Sequence, residues 1–307
     1  MTDKRTRQHA CVRRNGEGLL EVRDGTWPAA RPIPQGTSIM DTDALTHSTD
    51  TRTAVKALSE AASTAGYAPS IRNSRPWRWR LTGNTLDLHL VRSRIRPTSD
   101  PDGRLATLSC GSALHHARIA MAADGWQITV TRMLQGADRD LLARLHVDHR
   151  GPADPTSVTL LRSVPLRRTD RRAAVDTPLD PPALTALTAA IEAQGTRQHT
   201  LRPGQLLGPA AAADHAQVLV MLYGSTDEPL DWLRAGEALS AGWLTATGLG
   251  VSVLPHSASP ETIAIREARR AMIAGSGFPY LVLRLGAVDP ADAGMPRRPG
   301  DQIIERY

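Results

Sequence analysis

With 307 residues, 41% of them hydrophobic, the chain can bury a full core in one large or two modest domains, and no apolar run reaches the roughly 18 residues that cross a bilayer, so no membrane partner is expected. The net charge of +6 comes almost wholly from arginine, because only Lys4 and Lys56 are lysine, but the arginines are spread along the chain instead of forming a basic face, so nucleic acid is not an expected partner either. Two cysteines, Cys11 and Cys110, make no disulfide framework, and the basic start has no apolar signal segment, so a cytoplasmic protein is the expectation.

Residues 1–40 mix Arg, Gly and Pro without helical or strand period and read as a disordered extension, with Met40 an alternative start and the folded part beginning near Asp50. Val55, Leu58, Ala61 and Ala62 predict a helix over 51–65, ended by Gly66. Two strands, 77–82 and 85–91, flank the turn pair Gly83-Asn84, and Leu86, Leu88 and Leu90 alternate with Asp87 and His89 as on a half-buried strand. A long helix rich in small residues follows over 105–124, then strands over 126–131 and 143–149. The second half has a similar order: helix 181–193, strand 216–223, small-residue helix 230–248, strand 251–254, helix 260–274 and an apolar strand 280–285. Gly111-Ser112-Ala113 before Gly125-Trp126, and Gly236-Glu237-Ala238 before Gly248-Leu249-Gly250, suggest a diverged internal repeat.

Between the first helix and first strand stands Ala68-Pro69-Ser70-Ile71-Arg72-Asn73-Ser74-Arg75-Pro76-Trp77-Arg78-Trp79. Pro69 and Pro76 fix φ around Ser70 and Asn73, two hydrogen-bonding residues on a turn. An ordinary Ser or Asx turn would use the same residues. The junction also presents a hydroxyl, a carboxamide and turned backbone amides together, which match the carbonyl oxygens, ring nitrogens and ribityl chain of a flavin. Trp77 and Trp79 share one strand face and read as core. Later, Arg167-Arg168-Thr169-Asp170-Arg171-Arg172 puts alternate guanidinium groups on one side of an extended segment, where they can clamp a phosphate, although a solvated basic run has the same composition. Cys110 with His115 and His116 lacks zinc-site spacing, Ser109-Cys110-Gly111 is no nucleophile elbow, and Gly248-Leu249-Gly250 lacks the third glycine of a dinucleotide fingerprint.

The twelve residues from Ala68 to Trp79 resemble the A-P-S-x-x-N-x-Q-P-W segment of flavin-dependent nitroreductases, with Arg75 where that family usually has Gln. Arg167 to Arg172 resembles the family's phosphate-reading R-x-S/T-x-R segment. Together with 100–126, 235–255 and 296–299, these motifs resemble the Acg-type branch of the superfamily over roughly 50–307. The resemblance implies an α+β fold of three-layer α/β type, internally duplicated as a fused pseudo-dimer, with central mixed sheets flanked by helices. The halves would be 50–155 and 160–307, and the protein a monomer mimicking a dimer. One of two symmetry-related flavin sites would be kept, built from the A-P-S turn of the first half and the phosphate clamp of the second.

The cofactor implied is FMN, with NADPH or NADH as reductant and no metal. Its contacts by resemblance are Pro69, Ser70, Asn73 and Arg75 from the turn, Arg167, Arg168, Thr169 and Arg171 from the clamp, Pro255 in the loop 253–257, and Arg297 or Arg298 near the C-terminus. The flavin would carry the chemistry without a catalytic side chain. Two functions follow from the resemblance: a ping-pong oxidoreductase passing hydride from NAD(P)H to a nitroaromatic, quinone or similar small-molecule acceptor, or an FMN-storing protein with little turnover. A lid over the flavin would come from 201–214 or 224–231.

Overall fold

The computed structural model describes residues 13–14, 20–21, 40–134, 136, 138–169, 178–202, 218–256, 263–273, 275, 277–288 and 304–306. They fall into two compact units, Met1–Leu45 and Thr46–Tyr307. In the first unit, β1 (Arg13–Arg14) pairs with β2 (Leu20–Glu21) inside the stretch expected to be disordered, most of which lies outside the described residues. Helix α1 (Met40–Thr64) begins eleven residues before the predicted start. No Pro or Gly interrupts 40–64, so nothing in the sequence stops the helix from extending backwards.

In the second unit, α1 leads to a hairpin of β3 (Trp77–Thr82) and β4 (Thr85–Leu90), then α2 (Arg104–Ala123), β5 (Trp126–Arg132) and β6 (Leu141–Arg150). Trp77 and Trp79 lie fully in the core, as their shared strand face requires. A short helix, α3 (Pro155–Ser163), was not expected. Asp154 caps it by accepting the Ser157 N–H at 2.8 Å, and Pro155 opens it. There follow α4 (Pro181–Glu192), β7 (Arg197–Leu201), β8 (Val218–Gly224), α5 (Pro229–Gly248), β9 (Val251–His256), α6 (Ile263–Met272), β10 (Phe278–Ala287) and β11 (Ile304–Arg306). Strands β7 and β11 also escaped the sequence reading: Arg-Gln-His-Thr-Leu and Ile-Glu-Arg carry no apolar alternation, and both are edge strands.

The first sheet runs β11-β3-β4-β6-β5 and the second β7-β8-β10-β9. The first is mixed, because β11 joins β3 in parallel while the other pairs are antiparallel. The second is antiparallel throughout among the described residues, which corrects the expectation of two mixed sheets. Apart from β11 the strand orders match, and the chain runs twice through helix, antiparallel strand pair, helix and two strands, with α6 inserted before the last strand of the second pass.

Helices α2 and α5 are each 20 residues long and start 125 positions apart, and β5 and β9 keep the same offset. The helices cross at Gly111 and Gly236. A β-carbon at Gly111 would lie 1.9 Å from the Leu233 carbonyl oxygen, and one at Gly236 1.8 Å from that of Leu108. Under the 125-residue offset these two contacts are the same contact seen from either side, which is the reciprocity of a two-fold interface. Glycine is needed at both positions because the backbones themselves touch.

Candidate functional site

One cavity of about 520 Å³ gathers residues from both passes of the chain. Its wall is the turn at residues 69–73, its floor is Leu105 and Leu108 from α2 with Leu239 and Trp243 from α5, and its far side holds Arg167, Thr169 and Pro255.

The turn is strained. Arg72, Asn73 and Arg75 have φ of 48°, 57° and 45°, a left-handed conformation that costs non-glycine residues about 1–2 kcal/mol each, with asparagine the most tolerant. Such geometry persists only where the surroundings over-determine it. Here the Ser70 hydroxyl oxygen accepts the Arg75 N–H at 3.0 Å, and Arg94 donates to the Arg75 carbonyl at 2.6 Å. From α2, the Ser109 hydroxyl accepts the Ile71 N–H at 3.1 Å, and the Cys110 thiol donates to the Pro76 carbonyl at 3.3 Å. Cys110 is fully buried, and burial raises its thiol pKa, so it serves as a packed hydrogen-bond donor.

Arg167 is buried behind the opposite wall. Its guanidinium donates to the Tyr67 carbonyl at 3.1 Å and lies over the Trp243 ring at 4.4 Å, with the indole N–H donating to the Arg168 carbonyl at 3.2 Å. Among the described lining residues are two cations, Arg72 and Arg167, and no carboxylate, imidazole or thiol. The cavity therefore favours a ligand carrying negative charge.

Comparison with known proteins bears on this arrangement. The chain matches no established family profile. It is 33% identical to "Putative NAD(P)H nitroreductase Rv3131" of Mycobacterium tuberculosis over 305 residues, covering 78% of this chain and 88% of that protein. The chain belongs to the nitroreductase superfamily. A second relative from the same organism, "Putative NAD(P)H nitroreductase acg", is 28% identical over 324 residues, spanning 83% of this chain and 97% of the relative, which puts the chain with the Acg-type nitroreductases. A crystal structure of a putative nitroreductase from Anabaena variabilis has a TM-score of 0.48 at 11% identity, over 73% of this chain and 82% of that one.

Of the residues expected at the site of this nitroreductase, Pro69, Ser70, Asn73, Arg167, Thr169 and Pro255 line the one cavity. Arg75 and Arg168 are not among its lining residues. Arg75 closes the turn through its backbone, and Arg168 presents its carbonyl to Trp243. Arg171, Arg297 and Arg298 lie outside the described residues. Pro255 is not on a loop. It is the last residue but one of an edge strand, opposite Leu283, a place in a sheet where proline is tolerated. His256 is likewise on β9, half-buried, with its pKa lowered by burial and by Arg284 and Arg269, and it does not line the cavity.

Residues 224–231, one of two expected lids, are fastened. Tyr280 donates to the Thr226 carbonyl at 2.6 Å, and Asp227 accepts from Arg104 at 3.0 Å and Trp232 at 2.6 Å. Most of the other, 201–214, lies outside the described residues. The sequence reading missed Trp243, Ser109 and Tyr67. A large aromatic within the small-residue run of α5 was the available signal for Trp243, while the other two act through contacts distant in the chain.

Proposed function

We propose that this nitroreductase is an FMN-dependent oxidoreductase, built as a fused pseudo-dimer with halves 50–155 and 160–307, that passes hydride from NAD(P)H to a nitroaromatic, quinone or similar acceptor. The observation that carries this reading is the meeting, in one cavity, of the Ser70–Asn73 turn from the first half with Arg167, Thr169 and Pro255 from the second. The cavity volume falls within the range of cofactor sites, and its apolar floor with a polar wall suits a flat ring bearing a charged tail. The relatives carry NAD(P)H nitroreductase in their names, which fits the same chemistry.

FMN, when bound, accepts and returns the hydride. The residues of the chain do the rest. The Ser70 hydroxyl, whose oxygen already accepts the Arg75 N–H, keeps its hydrogen to donate to a ring acceptor, and Asn73 offers a carboxamide beside it. Leu105, Leu108, Leu239 and Trp243 exclude water from the ring. Thr169 and Arg171 take the ribityl and phosphate end, with Arg297 or Arg298 completing it. Arg167 holds the two walls in register through Tyr67 and Trp243.

The test is to purify the protein, release and weigh the flavin, and add NADPH or NADH without oxygen. One FMN per chain, bleached by a reduced nicotinamide, with parallel double-reciprocal lines for reductant and acceptor, is the expected result. FAD, or two flavins per chain, overturns the fused-dimer site. A flavin that both nucleotides leave oxidised replaces turnover with FMN storage.

A further inference from the structure

A second cavity, of about 530 Å³, is formed by the C-terminal half of α2, strand β5, the start of α3 and Gln194 after α4. Under the 125-residue offset, Arg118 there stands where Trp243 stands in the first cavity, and Val130 where Pro255 stands. The fold thus makes a hollow at the same corner of each pass. The chemistry of the two differs. The strained turn has no counterpart, since only residues 193–196 separate α4 from β7. The indole that floors the first cavity is replaced by a guanidinium.

Behind this second wall lies Glu237, 1% exposed. Its carboxylate accepts Arg132 Nε at 2.6 Å and Arg132 Nη2 at 2.8 Å, and pairs also with Arg118 Nη1. Arg118 Nη1 further donates to Gln194 at 2.9 Å. Two guanidiniums facing one carboxylate leave the inner wall one positive charge in excess. Their remaining N–H groups, Nε and Nη2 of Arg118 and Nη1 of Arg132, have no partner among the described residues, and the two side chains are 30% and 22% exposed. The carboxylate among the described residues lining the cavity, Asp154, is partly exposed and committed to the Ser157 N–H at the cap of α3. Ile119, Val130 and Leu160 supply apolar surface beside the charge.

We propose that this second cavity is a binding site for a small carboxylate with a compact apolar body, its head group received by Arg118 and Arg132. Guanidinium forks bind carboxylates in two-point fashion; Arg118 on α2 keeps its Nε–Nη2 edge for such a contact, and Arg132 on β5 adds a single point through Nη1. Glu237 sets the affinity from behind by offsetting half of their charge, while Gln194 and the packing of α2 and β5 hold the side chains in place. The site does not rest on the flavin reading: calorimetry reads benzoate binding whether or not flavin is bound, and the flavin spectrum only tells this cavity from the first.

Benzoate titrated into the flavin-loaded protein, followed by calorimetry and by the flavin spectrum, tests the assignment. Binding that leaves the flavin bands unmoved is expected, weakened roughly tenfold or more by Arg118→Met. Glu237→Gln keeps the side-chain volume and removes the competing charge, so it should tighten binding severalfold. Val130→Phe narrows the cavity without touching the ion network; it should also abolish binding, and it decides the matter if Arg118→Met does not fold. The proposal is overturned by the absence of saturable binding, by binding that shifts the flavin bands and survives Val130→Phe, or by weaker binding in Glu237→Gln.

Discussion

Residues 65–76 carry the chain from α1 into β3, and residues 193–196 carry it from α4 into β7. The two connections stand at the same step of the repeated element order. The shorter one solves its problem locally: Gly195 takes φ of 79° at no steric cost and closes the helix through the Glu192 carbonyl. The longer one puts two arginines and an asparagine into the left-handed region and needs Ser109, Cys110 and Arg94 to hold it there. Two passes with the same order of elements thus have an inexpensive turn where no cofactor is proposed and a strained, externally tied turn where one is. The turns differ more sharply than the cavities do, since the two hollows are nearly equal in volume.

The largest expected effect bears on the equivalence of the two passes. Gly111→Val and Gly236→Val each drive a side chain into the partner helix's backbone, where nothing can give by rotating a side chain. Each should cost roughly 3 kcal/mol or more, read by chemical denaturation. Because the contacts are reciprocal, the two losses should be similar. A large loss in one and tolerance in the other breaks the comparison.

Next comes the proposed phosphate clamp. Arg171→Ala should weaken FMN binding by roughly 1.5–3 kcal/mol, the worth of a charge-assisted hydrogen bond, while Arg162→Ala, on the exposed last turn of α3, should leave it unchanged. Fluorescence titration of apoprotein with FMN measures both. Equal affinities would remove Arg171 from the clamp.

Much of this was legible in the sequence for a physical reason. Leu86, Leu88 and Leu90, or the small-residue faces of α2 and α5, repeat with the period of their element, so local pattern finds them. The A-P-S turn was legible because two prolines and two capping-type side chains mark it. What stayed hidden depends on distant partners: β11 exists through pairing with β3, Ser109 matters through Ile71, and the Arg118–Glu237–Arg132 network joins three elements. Pro255 read as loop because proline argues against a strand, and only the strand order reveals an edge.

Acid should weaken the fold by a smaller amount, unevenly between the passes. His89 and His115 of the first pass, and His256 of the second, have pKa values lowered chiefly by burial. His115 is buried, its Nδ1 bonded to Ser240 at 2.9 Å, and Ser240 occupies the equivalent place on α5. Below pH about 6.5 the unfolded chain takes up protons that the folded imidazoles refuse, so stability falls as pH drops through that value towards the folded pKa. Each such histidine contributes at most about 1.4 kcal/mol per pH unit. His115→Gln should flatten the slope of unfolding free energy against pH in this range more than His256→Gln does, since His256 is half-exposed. A slope unchanged by His115→Gln means that the imidazole is protonated in the folded protein.

The smallest effects test the two turns directly and should have opposite signs. Gly195→Ala forces a β-carbon into the left-handed region and should cost about 1 kcal/mol, with no change in FMN affinity, because that turn serves only to connect. Arg75→Gly removes the same penalty from the longer turn while adding backbone freedom to the unfolded chain, so the two terms nearly offset and the fold should gain no more than about 0.5 kcal/mol. The side chain of Arg75 does not line the cavity, so a direct contact with cofactor is not lost. FMN binding should still weaken, because the glycine loosens the backbone that presents Ser70 and Asn73, and pre-organisation is what the ties from Ser109 and Arg94 maintain. Thermal unfolding of the apoprotein and FMN titration, made on both variants, separate the two quantities. If Arg75→Gly both stabilises the apoprotein and binds FMN as tightly as the parent, the strain in the turn serves no binding purpose, and the contrast between the two connections is an accident of loop length.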